Sequence, residues 1–194
     1  MTSAATTFED FMAFVDERPD DERWELLDGV PVLSPTPNRT HQVIVANLVA
    51  FLMNHKNRHG SGWVPLPGHL VPAPPVMNTA TFPDVVVVPD EMIAEQFSPD
   101  PIVAVEVLSR SNTRADRQWR MGAYTAGASI QHYLTVEQRR VRVVLHSRSG
   151  DWRPVEIEEV GAAAELPSLG VSIPLAAIYR WTGFDPNAPE RRNP

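Results

Sequence analysis

Cysteine is missing from all 194 residues of the chain, which removes disulfides, thiolate nucleophiles and cysteine-ligated zinc or iron–sulfur centres. Any metal must therefore be held by oxygen or imidazole. Lysine is almost as scarce: Lys56 is the only one, and sixteen of the seventeen basic side chains are arginine. No apolar stretch approaches the roughly 18 residues of a membrane span. The first residues, "MTSAATTFEDFM", lack the basic-then-apolar order of a secretion signal, so a cytoplasmic protein with no membrane association is expected. Positive charge is also in deficit: the formal net charge of −7 disfavours coating of nucleic acid through a general positive field, but leaves room for a local basic patch.

With 43% hydrophobic and 21% charged residues, the composition is that of an ordinary globular protein. The length suits one domain, expected over residues 1–185, with "DPNAPERRNP" giving a frayed tail over 186–194.

Thr7, three residues before Asp10, opens a capped helix over 7–17, with Phe11, Phe14 and Val15 at helical spacing. "RWELLDGVPVLS" reads as two strands around an Asp28-Gly29 turn. After the breaker "SPTPN", apolar residues from Val43 to Leu52 predict a long helix over 40–57 ending near Gly60. The proline-rich stretch 64–83 predicts edge strands and loop forming one wall of a cleft. "DVVVV" and "IVAVEVL" are apolar runs of strand length, expected as neighbours buried on both faces of one sheet, with loop and at most a helical turn between them. "NTRADRQWRMGAYTAG" predicts a helix of about four turns stopped by Gly127. Strands follow at "HYLTV", "VRVVLHS" and "WRPVEIEEV", then a short helix at "LAAIYRW". The order implies an α/β (α+β) fold built on a mixed central sheet flanked by helices.

One charge stands out. Glu106 is the single carboxylate in the aliphatic run 102–108, and Asp84 opens the other apolar strand. A buried ionised carboxylate must be paired, protonated or bound to a metal. If the two strands are adjacent and antiparallel, the two acids meet near one edge of the sheet, where a divalent cation would relieve their repulsion. Mg²⁺ (or Mn²⁺) suits such a site, because it takes oxygen ligands and needs only one or two protein carboxylates. Competing with this are an ordinary salt bridge at Glu106 and a local turn role for Asp84.

Taken together, "WELLDGVPVLSP", "FPDVVVVPD" and "VAVEVLSRSNTRADRQWRMGAYTAGASIQHYLTV" resemble the Uma-type (Uma two) endonuclease family, a former domain of unknown function within the PD-(D/E)xK restriction-endonuclease-like superfamily. The matching positions, Glu25, His41, Asp84, Glu106, Asp116, Arg120 and Tyr124, lie within residues 24–145. The resemblance implies a restriction-endonuclease-like core and Mg²⁺-dependent hydrolysis of phosphodiester bonds, with DNA as partner. It implies that Asp84, Glu106 and the Val107 carbonyl hold the metal, that Glu25 is a further acid beside it or a ligand of a second metal, and that His41, Asp116 and Tyr124 are accessory at most. It also implies a possible homodimer, which one sequence does not fix.

One departure matters. The superfamily places a lysine two residues after the glutamate, where this chain has Leu108, and relatives carry it on the following helix, at the position of Arg120. Arginine can offset negative charge at a phosphorane but stays protonated and cannot act as a general base. Two readings follow: arginine keeps the electrostatic role in a lysine-poor chain, or the site has lost its chemistry and the scaffold binds nucleic acid or a protein. Arg120 also stands four residues from Asp116, as for a surface ion pair. Arg110, Arg114 and Arg117 make the segment after Glu106 basic, as phosphate contacts or as a solvated helix face. Tyr124, Tyr133 and Trp119 read as packing aromatics, and His55, His59 and His69 as surface residues.

Overall fold

The computed structural model describes residues 6–19, 21–73, 78–92, 97–109 and 112–187. Arg110 and most of the expected tail lie outside the described residues.

Helix α1 (Phe8–Asp16) begins with the expected capping box, Thr7 and Asp10 satisfying each other's backbone N–H groups. It covers a small sheet with its Phe11, packed on Leu26, Leu70 and Ala80. That sheet contains β1 (Trp24–Leu27) and β2 (Val30–Leu33), then β4 (Val71–Pro72) and β5 (Ala80–Thr81), in the order β2-β1-β5-β4. The β1–β2 turn has positive φ at both Asp28 and Gly29 (50° and 80°), the backbone of a type I′ hairpin that this dipeptide favours.

The central sheet runs β10-β9-β8-β7-β6-β3, from β3 (Trp63–Pro67), β6 (Val85–Pro89), β7 (Val103–Leu108), β8 (His132–Glu137), β9 (Val143–Ser147) and β10 (Val155–Ile157). All pairs are antiparallel except β7 with β8, which are joined by a crossover containing α3 (Arg114–Thr125). The sheet is therefore mixed, as expected. The proline-bearing β3 sits at its edge, where missing donors cost least.

Side chains alternate across a strand with period two, and here the alternation sorts the core into two layers. Val85, Val87, Val103, Val105 and Val107 pack with Ile44, Leu48 and Leu52 of α2 (Arg39–His59). Val86, Val88 and Ala104 pack on the other face with Tyr124, Ile130 and Tyr133. Glu106 has the parity of Ala104, which directs its carboxylate to the side carrying α3 rather than into the α2 core.

Two features differ from the sequence reading. A hairpin of β11 (Ala163–Leu166) and β12 (Val171–Pro174), followed by α4 (Leu175–Ile178), completes the α2 layer; of these only α4 was anticipated, because the alanine-rich run before Pro167 has no strong strand period. Among the described residues of the proline-rich stretch only Phe82 reaches the main cleft, whose walls come chiefly from the β1–β2 hairpin, residues 34–38 and α3.

Candidate active site

The cleft encloses about 810 Å³ and is lined on one side by Leu27, Asp28, Val32 and Leu33, and on the other by Asn112, Asp116 and Trp119, with Glu25, His41, Asp84, Glu106 and Arg120 also lining it. The β6–β7 register pairs Val85 with Val105, so Asp84 falls opposite Glu106 one step further along. That is the juxtaposition of acids expected from the two apolar runs.

Asp84 is fixed through one oxygen. Its Oδ2 accepts from the Val107 backbone N–H at 2.7 Å and lies 3.0 Å from His41 Nε2. His41 occupies the first turn of α2, just after the Asn38 cap, and its buried Nδ1 has no partner among the described residues. His41, expected to be accessory at most, therefore supports the first acid.

Glu106 is 8% exposed and is also engaged through one oxygen: Oε1 accepts from Tyr124 Oη at 2.7 Å and from Arg120 Nη1 at 3.1 Å. Burial pushes its carboxyl up to about 8; the Arg120 charge opposes the rise, and Asp84 and Glu25 add to it. Among the described residues neither Asp84 Oδ1 nor Glu106 Oε2 takes a hydrogen bond.

Glu25, 3% exposed on β1, is saturated. Oε1 accepts from the Phe82 N–H (2.9 Å) and Arg120 Nη1 (2.8 Å); Oε2 accepts from Ser34 Oγ (3.2 Å) and Arg120 Nη2 (2.7 Å). Arg120 thus forms a bidentate fork on Glu25 and shares Nη1 with Glu106. Burial would lower its basicity, but the Glu106 charge and the Glu25 hydrogen bonds outweigh this and raise it, so it stays cationic.

Helix α3 delivers these groups because Arg120 and Tyr124 lie one turn apart on the same face. The alternative Arg120–Asp116 ion pair does not form: Asp116 closes a capping box with Thr113, and this exposed residue lies at the cleft's edge as a helix cap. Tyr124, read as packing, does pack against Tyr133 and also hydrogen-bonds Glu106; burial raises its hydroxyl well above the ordinary tyrosine range. Tyr133 remains a core residue, 1% exposed. Trp119, read as a packing aromatic, is half-buried, and its Nε1 donates to Asp28 Oδ2 at 2.9 Å, tying α3 to the hairpin tip across the cleft.

Three supporting residues carry no local sequence signal: Ser34 on Glu25, and the pair Asn38 and Gln138. Asn38 Nδ2 donates to Gln138 Oε1 (2.6 Å), and Gln138 Nε2 to the Leu108 carbonyl (2.8 Å), which fastens the start of α2 to the end of β7.

Among the described residues no three His, Asp or Glu side chains converge as a ready-made cluster, which disfavours zinc-type coordination. Two carboxylates with one free oxygen each match what Mg²⁺ asks of a protein, the remaining positions being filled by water, backbone carbonyl or substrate oxygen. The residues fit a hard divalent cation.

Similarity to known proteins extends over most of the chain. The family model described as "Uma2: Putative restriction endonuclease" matches residues 8–176. An uncharacterized protein of Synechocystis sp. is 29% identical over 169 residues, covering 84% of this chain and 86% of its own. The crystal structure of a "putative nuclease belonging to DUF820" from Anabaena variabilis superposes with a TM-score of 0.70 at 16% identity, over 87% of this chain and 96% of that one, a likeness of fold.

Proposed function

The chain belongs to the Uma2 family, and from that premise we propose that it is a Mg²⁺-dependent endonuclease that hydrolyses phosphodiester bonds in DNA. The observation that carries the proposal is the pair Asp84 and Glu106, brought together by adjacent antiparallel strands in a cleft, each with one carboxylate oxygen left free by the described residues. Residues 1–185 are taken as one restriction-endonuclease-like domain, acting in the cytoplasm.

In this reading Asp84, Glu106 and the Val107 carbonyl would hold the ion. Bound there, Mg²⁺ supplies Lewis acidity toward the scissile phosphate and lowers the pKa of a water. His41 fixes the Asp84 carboxylate, and Tyr124 with Arg120 fixes that of Glu106. Glu25 acts as a positioning residue: it holds the guanidinium, whose Nε–H and one Nη2 hydrogen have no carboxylate partner among the described residues. These N–H groups and the fixed positive charge offset negative charge developing on the phosphate. Arg23 and Arg139 also line the cleft and serve as phosphate contacts.

The test is cleavage of supercoiled, linear duplex and single-stranded DNA with Mg²⁺ or Mn²⁺. Cleavage that is lost on chelation and in Asp84→Ala is expected; no cleavage of any form, or full cleavage by Asp84→Ala, overturns the proposal.

One observation favours a second reading. Arg120, at the position of the relatives' lysine, is held by two carboxylates, and Leu108 replaces the lysine of the strand motif. Such a site fits a module that binds nucleic acid or a protein without cutting; calorimetry showing DNA binding with no uptake of divalent ions selects it.

A further inference from the structure

Arg120 Nη1 stands 2.8 Å from Glu25 Oε1 and 3.1 Å from Glu106 Oε1, so one positively charged nitrogen bridges an oxygen from each of two buried carboxylates. A bridging cation between two acids is also what the second ion provides in two-metal hydrolytic sites, where the ions lie about 3.5–4 Å apart. We infer that the Arg120 guanidinium is a built-in cation that takes the place of a second divalent ion between Glu25 and Glu106, so that the site accepts one metal ion. The inference rests on the metal-dependent reading above.

Lone pairs support it first. An ionised carboxylate offers about four acceptor directions, and Glu25 already accepts four hydrogen bonds, two of them from Arg120. Glu25 therefore has nothing left for a metal while the fork is in place. The free oxygens of Asp84 and Glu106 suffice for one ion.

Charge supports it next. With a cation bound, Glu25, Asp84 and Glu106 are ionised against the single charge of Arg120, leaving two negative charges that one divalent ion cancels. A second ion would leave two uncompensated positive charges, a costly arrangement in a largely desolvated site. A fork that served only to staple α3 to β1 would carry no such consequence for metal count, which separates the two roles.

The experiment counts Mn²⁺ bound to the full chain by electron paramagnetic resonance of the free ion, taking as site-bound those ions lost in Asp84→Asn/Glu106→Gln. One ion per chain is expected for the wild type and for Arg120→Lys. Arg120→Met is expected to bind two, with a spin-coupled Mn²⁺ spectrum, and Arg120→Met/Glu25→Gln to return to one. Two ions in the wild type, or one in a folded Arg120→Met, overturns the inference and leaves the metal-dependent reading standing; none in any protein overturns both. If circular dichroism shows Arg120→Met unfolded, Glu25→Gln decides: a count of one with affinity within threefold of wild type supports the inference, and a tenfold loss of affinity, which would make Glu25 a ligand, overturns it.

Discussion

Tyr124 Oη donates to Glu106 Oε1 at 2.7 Å, and with Arg120 it leaves the other carboxylate oxygen of Glu106 as its one open position. Tyr124→Phe keeps the packing on Tyr133 and removes the hydroxyl, which also hydrogen-bonds the Thr81 side chain. A hydrogen bond to a charged group is worth roughly 1.5–3 kcal/mol, so Mg²⁺-dependent cleavage is expected to fall about ten- to a hundredfold. The melting temperature should shift by only a few degrees, read by calorimetry alongside the rates.

Trp119 and Asp28 join the two sides of the cleft through a side-chain hydrogen bond. Trp119→Phe retains an aromatic ring and loses the N–H, for an expected cost of about 1 kcal/mol. Hydrogen exchange at the backbone of Asp28 and Gly29 should accelerate several-fold while β7 amides stay protected. Equal acceleration in both places would show that the contact does not act locally.

Arg139 is exposed at the cleft's edge and well placed for a phosphate. Arg139→Ala should weaken DNA binding similarly for all sequences and reduce the slope of log K against log salt by about 1. Fluorescence anisotropy at several salt concentrations measures this; an unchanged slope would remove Arg139 from the binding surface.

Away from the cleft, Glu137 accepts from Arg140 and Arg142, and these bonds, Arg140's foremost, hold its carboxyl below the ordinary value of 4.5. A depressed carboxylate contributes stability that is complete above its unfolded pKa and is lost as pH falls through the lower folded value. Wild type should therefore exceed Glu137→Gln in stability near pH 7, by at most about 1 kcal/mol for so accessible a network. The gap should close as the pH drops below 4.5. Urea titrations across this range give the comparison.

Much of this site is legible from local pattern. The two apolar runs, the Asp-Gly turn and the Thr7–Asp10 capping box depend on neighbours a few residues apart, and the structure places them as expected. The antiparallel pairing that brings Asp84 to Glu106 follows once both runs are read as adjacent strands. Arg120 was harder, because local reasoning gives it the partner four residues away, Asp116, whereas Thr113 takes that carboxylate and a glutamate 95 residues distant takes the arginine. His41 and Tyr124 hide for a related reason: each sits on a helix whose face toward the sheet depends on tertiary packing. The β11–β12 hairpin has too weak an alternation to read from Ala163 to Leu166.

The long reach of Arg120 also bears on how the protein is made. Glu25 and Arg120 meet only when about half the chain has been closed into a loop, and ordering so distant a contact slows its formation. The core strands β6, β7 and β8 can pair before that closure. The cleft should thus be among the last parts to assemble, and substitutions at Glu25 or Arg120 should hasten unfolding far more than they delay folding.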